Sequence, residues 1–123
     1  QGKLKNNKIR FVTDLLPEDF IGLLRKTSAL VGNSSSGIKE ASYFGVPTVN
    51  IGTRQQVRLR GPNVMDIGYD KDVIIKSVKS QLKHGLYPKS NIYYRPGTSD
   101  KIVKVLSKAK LYTQKKFYDQ KTN

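Results

Sequence analysis

Short apolar runs along this chain alternate with stretches in which apolar residues recur at helical spacing. The runs predict three strands, at residues 9–12, 29–31 and 48–51. The helical spacing predicts four helices: one that begins at Pro17, one over residues 38–44, one that stops near Gly85, and one capped by Thr98 or Ser99. The pattern therefore alternates strand and helix.

This alternation favours an α/β fold with a parallel sheet, because strands separated by helices pair in parallel through right-handed crossovers. Gly45 is suited to a left-handed helix stop, and Pro47 prevents the helix from continuing. Residues 52–68 are polar and basic and predict a loop after a strand's carboxyl end, where α/β sheets bind ligands.

The length of 123 residues allows one compact domain and is too short for a two-domain enzyme. Cysteine is absent, which excludes disulfides and cysteine-based metal sites, and cytoplasm is the default location. No metal ligand set and no cofactor is predicted. No apolar run reaches the roughly 20 residues of a membrane span, and the start at Gln1 is typical of a position inside a longer protein.

The formal charge of +14 favours a polyanionic partner, whether nucleic acid, membrane surface or nucleotide phosphate. Many lysines fall on the last helix or in the tail, where a solvated surface is the simpler interpretation. The aromatic residues Tyr112, Phe117 and Tyr118 among lysines allow a nucleic-acid-binding module as a minor alternative.

Residues 32–40, Gly-Asn-Ser-Ser-Ser-Gly-Ile-Lys-Glu, carry the candidate chemistry. Small residues at a strand-to-helix turn let a ligand approach the backbone, and N–H groups there bind anions. The hydroxyls of Ser34, Ser35 and Ser36, followed by Gly37, add donors for a diphosphate. The alternative is a serine-rich helix cap. The segment lacks the glycine and lysine spacing of the common phosphate-binding motifs.

Two further residues favour a nucleotide site over a simple cap. Glu40 lies about one and a half helical turns beyond the serines, where a carboxylate could accept hydrogen bonds from two ribose hydroxyls. Arg54 follows the next strand and could pair with phosphate oxygens. An exposed helical glutamate is the alternative for Glu40, and a solvated basic loop is the alternative for Arg58 and Arg60.

Residues 32–40 and residues 44–55, Phe-Gly-Val-Pro-Thr-Val-Asn-Ile-Gly-Thr-Arg-Gln, together resemble the C-terminal signature of UDP-N-acetylglucosamine 2-epimerases. Weaker similarity, including residues 61–64, covers most of the chain. One departure is Val57, where the family usually has glycine. If that glycine has a positive φ, valine would strain the loop and alter the position of Arg58.

The resemblance implies the second Rossmann-like domain of a GT-B architecture, with the nucleotide between two domains. It also implies roles for the candidate residues: Ser34, Ser35, Ser36 and Gly37 at the diphosphate, Glu40 at the ribose, Arg54 at a phosphate, and the backbone around Thr13 and Leu15 at the uracil. The implied partners are UDP or UDP-N-acetylglucosamine, an N-terminal domain reached by residues 98–123, and other subunits of a homodimer or homotetramer.

The resemblance implies elimination of UDP across C1 and C2 of the sugar to form a glycal. The Asn-Ser-Ser-Ser-Gly form is closer to the hydrolysing branch of sialic-acid pathways, which releases N-acetylmannosamine, than to the branch that forms UDP-N-acetylmannosamine. The family draws its catalytic carboxylates from the N-terminal domain, so no catalytic residue is assigned here. His84 is interpreted as a surface residue at a helix end. The donor-nucleotide domain of a GT-B glycosyltransferase is the alternative enzyme.

Overall fold

A computed structural model describes residues 8–110, and the order of its elements alternates strands with helices. In chain order they are α1 (Pro17–Lys26), β1 (Leu30–Gly32), α2 (Ser35–Ile38), α3 (Glu40–Phe44), β2 (Thr48–Ile51), β3 (Val64–Ile67), α4 (Lys71–His84) and α5 (Thr98–Leu106). The three strands form one sheet in the order β1-β2-β3, and both pairs are parallel. The predicted α/β class with a parallel sheet is confirmed.

The central strand β2 is covered on both faces. Its consecutive residues Thr48, Val49 and Asn50 each expose 1% or less of their surface, and consecutive side chains in a strand point to opposite faces. Both faces of the sheet are therefore packed in the described residues, as expected of a three-layer parallel sheet. Helix α2 contacts β1 and β2, and α4 contacts β2 and β3.

Strand β3 was not expected, because residues 52–68 predicted a loop throughout. Val64 pairs with Thr48 and Ile67 with Ile51, in parallel register. The connection from β2 to β3, residues 52–63, contains no helix. About a dozen residues suffice to return the chain to the start of a parallel neighbour. Gly61 and Pro62 favoured a loop, and Asp66 is a residue type that is rare in strands, so this strand was hard to recognise.

The predicted strand at residues 9–12 is wrong. None of these residues is in a strand, and their side chains are exposed, with Phe11 at 85% and Val12 at 56%. The apolar composition was correct for a strand, but a strand also needs a neighbour to pair with, and pairing is decided by tertiary context. The described sheet begins at β1 instead.

Helix α1 begins at Pro17, as predicted, with Glu18 and Asp19 in its first turn. Its one fully buried residue, Leu24, packs with Ala41 and Val46 in the core. The partly buried side chains of Phe20, Leu30 and Phe44 lie against this cluster. The core thus joins α1, the edge strand β1 and α3.

The helix expected over residues 38–44 is interrupted. Lys39, with ψ near −76°, separates α2 from α3, although the Tyr43 N–H still donates to the Lys39 carbonyl at 3.3 Å. Gly45 then ends α3 with φ of 72°, the left-handed stop that was predicted. A Cβ atom at Gly45 would also collide with the carbonyl oxygen of Tyr87. Glycine is therefore required at this position for two reasons.

The two later helices differ in how well their ends were predicted. Helix α4 ends at His84 and Gly85, as expected, and Asp70 caps its start by accepting from the Val73 N–H at 2.9 Å. Helix α5 starts after Gly97, a left-handed residue, so the predicted cap by Thr98 or Ser99 is wrong. The Thr98 hydroxyl instead donates to the Arg95 carbonyl at 2.6 Å. No helix within residues 8–110 is long and apolar enough to span a membrane.

Candidate functional site

The serine turn, residues 33–37, begins directly after β1 and includes the first three residues of α2. Ser34 caps α2, because its Oγ accepts from the Ser36 N–H at 3.3 Å. The capping function considered as an alternative is therefore present. A hydroxyl that accepts one hydrogen bond keeps its own O–H as a donor, so capping does not prevent Ser34 from binding an anion. Ser35 and Ser36 are half-buried at the start of the same helix.

Gly37 is required for packing. A Cβ atom at this position would lie 2.6 Å from Cγ2 of Thr48, closer than a Cβ atom normally approaches, and 3.2 Å from Cδ2 of Leu30, a tight contact that needs a small shift. The absence of a side chain lets α2 approach β1 and β2 closely. This contact fixes the end of the serine turn against the sheet.

Arg54 and Gln55 reach the serine turn from the loop after β2. Nη1 of Arg54 lies 3.5 Å from Oδ1 of Asn33, at the limit of a hydrogen bond. Nε2 of Gln55 donates to the backbone carbonyl of Asn33 at 2.9 Å. The expectation that Arg54 shares one sheet edge with the serines is thus matched by a contact to the residue directly before Ser34.

Asn63, at the end of the same loop, holds the other end of the serine turn. Its side chain is fully buried, and its Nδ2 lies within hydrogen-bonding distance of three acceptors, the Gly37 carbonyl at 3.3 Å, the Val46 carbonyl at 2.8 Å and Oγ1 of Thr48 at 3.3 Å. Its Oδ1 accepts from the Ser42 hydroxyl at 2.7 Å. One side chain therefore ties α2, α3 and β2 together.

The loop between these two anchors is held by Arg60 and Asp66. Nε of Arg60 forms an ion pair with Oδ2 of Asp66 at 2.8 Å, and the buried Asn50 amide donates to Oδ1 at 2.5 Å. The hydrogen bond from Arg60 is the main cause that lowers the pKa of Asp66 below 3.8, against partial burial, which raises it, while Asn50 lowers it further. Arg60 also donates to the Arg58 carbonyl. Arg60 is therefore not part of a merely solvated loop.

Glu40 faces a different environment from the serines. It lines a cavity of about 430 Å³ with Lys39 and the mainly apolar side chains of Ile21, Tyr43, Phe44, Tyr93 and Tyr94. Its Oε2 is buried and has no hydrogen-bond partner within residues 8–110. A buried carboxylate oxygen without a partner is costly. Glu40 is therefore not the ordinary exposed glutamate considered as its alternative.

Thr13 and Leu15 line a smaller cavity of about 230 Å³ with Val12, Asp14 and Phe20. No serine of the turn lines this cavity, and neither does Glu40 or Arg54. The structure therefore joins Arg54 to the serine turn and leaves Glu40 in one cavity and the expected uracil contacts in another. The assignment of these residues to one nucleotide stays a prediction.

The substitution at Val57 does not strain its loop. No residue other than glycine has a positive φ among residues 8–110, and the Val57 side chain is 98% exposed. The loop accommodates valine in an ordinary conformation, so the suggested strain on Arg58 is absent. The Arg58 N–H donates to the Gln55 carbonyl at 3.1 Å, which places Arg58 in the turn that follows Gln55.

Three residues of this region escaped prediction from the sequence: Asn33, Gln55 and Asn63. All three lie within residues 32–40, 44–55 or 61–64, and the sequence predicts no role for them. Their amide side chains can donate and accept at once, which suits the bridging of backbone groups. The sequence signal for these residues is that three amide side chains lie at loop borders, one beside the serines, one beside Arg54 and one at the start of β3. The burial of Gln55 and Asn63, at 4% and 0% exposure, depends on packing and has no sequence signature.

No group of three or more His, Cys, Asp or Glu side chains that could hold a metal ion occurs in the described part of the chain. His84 is exposed at the end of α4, its Nδ1 lies 3.1 Å from the Gly85 carbonyl, and its ring stacks on Tyr87 with centroids 3.7 Å apart. The interpretation of His84 as a surface residue at a helix end is confirmed.

A parallel sheet with helices on both faces and a polar turn at a strand's carboxyl end defines an α/β domain of Rossmann-like type. The family model for UDP-N-acetylglucosamine 2-epimerase matches residues 2–107. The chain belongs to this family, which consists of enzymes, and the family resemblance of the serine and arginine segments is confirmed.

Curated relatives agree with this assignment. The chain is 31% identical over 122 residues to "Polysialic acid biosynthesis protein P7" of Escherichia coli, covering 94% of this chain and 31% of that protein. It is 34% identical over 106 residues to "UDP-N,N'-diacetylbacillosamine 2-epimerase (hydrolyzing)" of Legionella pneumophila, covering 86% and 28%. It is 27% identical over 123 residues to "UDP-N-acetylglucosamine 2-epimerase" of Neisseria meningitidis, covering 95% and 33%. The chain spans about a third of the length of these relatives.

Proposed function

We propose that this domain holds the UDP portion of a UDP-sugar in an enzyme that eliminates UDP from UDP-N-acetylglucosamine. The observation that carries the proposal is the contact of Arg54 and Gln55 with Asn33, which brings a guanidinium beside the serine turn at the carboxyl end of the sheet. Backbone N–H groups, hydroxyls and a guanidinium are donors that match diphosphate oxygens.

In the proposed reaction the proton on C2 of the sugar is removed, and the bond between C1 and the phosphate oxygen breaks. UDP departs with the electron pair, and a glycal remains. Water then adds across the double bond with inversion at C2 and releases N-acetylmannosamine. Ser34, Ser35, Ser36 and Arg54 act by stabilising the negative charge that develops on the departing diphosphate. We place the hydrolysing form first because of the Asn-Ser-Ser-Ser-Gly segment.

Acid and base catalysis at C2 requires carboxylates near the sugar, which we propose come from a second domain of the whole protein, as in a GT-B architecture. Helix α5 supports such a partner, because it has no buried residue and exposes Ile102 at 52%, Val103 at 64% and Val105 at 66%. An apolar helix face is normally packed against another element. The expected crossing of the tail after residue 110 lies outside the described residues.

Glu40 is proposed to accept hydrogen bonds from the two ribose hydroxyls. The unpartnered buried oxygen supports this role, since a diol would satisfy it. Thr13 and Leu15 are proposed to face the uracil through their backbone. This requires the nucleoside to bridge from the Glu40 cavity to the Thr13 cavity, next to Phe20 and Ile21 of α1.

The Glu40 assignment is tested by titrating UDP into the chain and into Glu40→Gln, followed by heteronuclear NMR. We expect Glu40→Gln to weaken UDP binding about tenfold, because hydrogen bonds to a charged group contribute about 1.5–3 kcal/mol. UDP lacking both ribose hydroxyls should bind the two proteins equally. Glu18→Gln, on the exposed surface of α1, is the matched control and should bind as the unmodified chain does.

The ribose role is rejected if Glu40→Gln binds UDP as tightly as the unmodified chain. The reaction itself is tested on the whole protein with UDP-N-acetylglucosamine and no acceptor. Release of N-acetylmannosamine and UDP supports the proposal. Conversion only to UDP-N-acetylmannosamine would assign the protein to the other branch.

A further inference from the structure

Gln55 is the one buried residue in the exposed first part of the loop, residues 53–59. Its exposure is 4%, whereas its neighbours Arg54 and Gln56 are exposed. Burial of an amide is unfavourable unless its hydrogen-bonding groups find partners. Nε2 of Gln55 has such a partner in the Asn33 carbonyl at 2.9 Å, while Oε1 is buried without one in the described part of the chain. The side chain is thus held inward by a single bond.

The hydrogen bond from Gln55 orients the first peptide group of the serine turn. The Asn33 carbonyl and the Ser34 N–H belong to the same planar trans peptide group, so fixing the carbonyl also fixes the direction of the N–H. The two groups point to opposite sides of the chain. With the carbonyl held towards the loop, the Ser34 N–H points away from Gln55.

Gln55 also affects the position of Arg54, its neighbour in the chain. Because the two residues are adjacent, anchoring Gln55 inward places the start of the Arg54 side chain at the turn, where its guanidinium reaches Oδ1 of Asn33. One hydrogen bond therefore sets the relative position of a backbone donor and a cation. Preorganised donors bind an anion with less loss of conformational entropy than mobile ones.

We infer that Gln55 is a positioning residue for the diphosphate: it orients the Asn33–Ser34 peptide and sets Arg54 over the serine turn without contacting the ligand. The inference rests on the proposed UDP site and adds to it a residue that governs only the phosphate end. Glu40 acts at the other end of the nucleotide. The effect of Gln55 should therefore depend on whether the ligand has phosphates.

The test compares UDP with uridine, which has the same base and ribose and no phosphate. Both are titrated into the 123-residue chain, Gln55→Met and Gln55→Leu, and binding is followed by heteronuclear NMR at millimolar ligand. Methionine keeps the length of the side chain and removes the donor. Leucine is also uncharged and lacks the donor, so it serves if Gln55→Met does not fold. Gln56→Met is the matched control on the exposed neighbouring residue.

We expect each Gln55 variant to weaken UDP binding about five- to tenfold, as for loss of one hydrogen bond, with uridine binding unchanged. Gln56→Met should bind both ligands as the unmodified chain does. A Gln55 variant that binds UDP normally overturns the inference, and so does an equal loss for UDP and uridine, which would indicate general damage to the fold. If the unmodified folded chain binds neither ligand, the proposed UDP site fails first and the inference falls with it.

Discussion

The carboxylate of Asp66 shows how single residues set the loop that approaches the serine turn. Arg60 and Asn50 both donate hydrogen bonds to it, from the loop and from the central strand respectively. The pKa of Asp66 lies below 3.8, chiefly through the hydrogen bond from Arg60. A carboxylate held in its charged form by two donors stabilises the folded loop as long as it stays ionised.

This leads to a prediction for the pH dependence of stability. Because the folded pKa is lower than the unfolded one, Asp66 contributes stability above about pH 4, and the contribution disappears as the pH falls through the folded pKa. The difference in free energy of unfolding between the unmodified chain and Asp66→Asn should therefore be larger at neutral pH than near pH 2. Urea unfolding at both pH values measures it.

An NMR titration provides the control for this prediction. Arg60→Ala should raise the pKa of Asp66 towards its ordinary value, because the hydrogen bond from Arg60, the main cause that lowers this pKa, is then removed. A stability difference that is the same at both pH values would mean that the ion pair contributes nothing, as is common for exposed pairs.

At the scale of elements, the end of α3 shows a tight link between a helix stop and a distant segment. Gly45 has φ of 72°, and its carbonyl accepts from the Tyr87 N–H at 2.8 Å. The Ser42 carbonyl likewise accepts from the Ser90 N–H at 3.0 Å. The segment after α4 is thereby attached to the end of the helix that carries Glu40.

Gly45→Ala should destabilise the fold by about 1–3 kcal/mol, because alanine is strained at positive φ and its Cβ would collide with the Tyr87 carbonyl. Gly22→Ala is the matched control. Gly22 lies within α1, and a Cβ atom there meets nothing within 4 Å, so alanine should stabilise by about 0.5–1 kcal/mol through its higher helix propensity. Thermal and urea unfolding of the three proteins measure whether Gly45→Ala lowers and Gly22→Ala raises the free energy of unfolding. Equal stability of Gly45→Ala and the unmodified chain would contradict the strain.

The elements that the sequence predicted correctly are those with strong local signals. Pro17 followed by two acids marked the start of α1, Gly45 marked the end of α3, and the long amphipathic stretch gave α4. The elements that were predicted wrongly depend on contacts with segments that are distant in the sequence. Residues 9–12 have strand composition and no strand neighbour, whereas β3 has weak composition and a neighbour in β2.

The same distinction applies to the candidate site. The contact of Arg54 with the serine turn followed from sheet topology, since both segments follow parallel strands. The anchoring amides Gln55 and Asn63 could not be predicted, because nothing local separates a buried amide from an exposed one. The separate cavities of Glu40 and of Thr13 depend on how α1 packs on α3, which no pattern in the chain specifies.

At the scale of the whole molecule, the excess of 23 basic over 9 acidic residues gives the chain a charge of +14. Such a field attracts anions over distances of about a Debye length, roughly 10 Å at 0.1 M salt. Arg54 is exposed beside the serine turn, and the loop after it also carries Arg58. A phosphate ligand would therefore be attracted both by the local guanidinium and by the general field.

We expect the affinity for UDP to fall several-fold between 50 and about 500 mM salt, while uridine binding stays nearly constant, because only the phosphates are charged. Arg54→Ala should reduce this salt dependence, whereas Lys79→Ala on the exposed surface of α4 should retain most of it. Titrations at several salt concentrations measure the slope. Equal salt dependence for UDP and uridine would rule out a charge-based phosphate site.

The helix-free connection from β2 to β3 limits which insertions, deletions and substitutions the fold can accommodate. Residues 52–63 span the distance between two parallel strands, and their two ends hold the two ends of the serine turn through Gln55 and Asn63. An insertion or deletion between Gln55 and Asn63 would move the two anchors relative to each other. The length of this segment should therefore be preserved together with the identities of the two anchors, whereas the exposed Val57 is a position where substitution is tolerated.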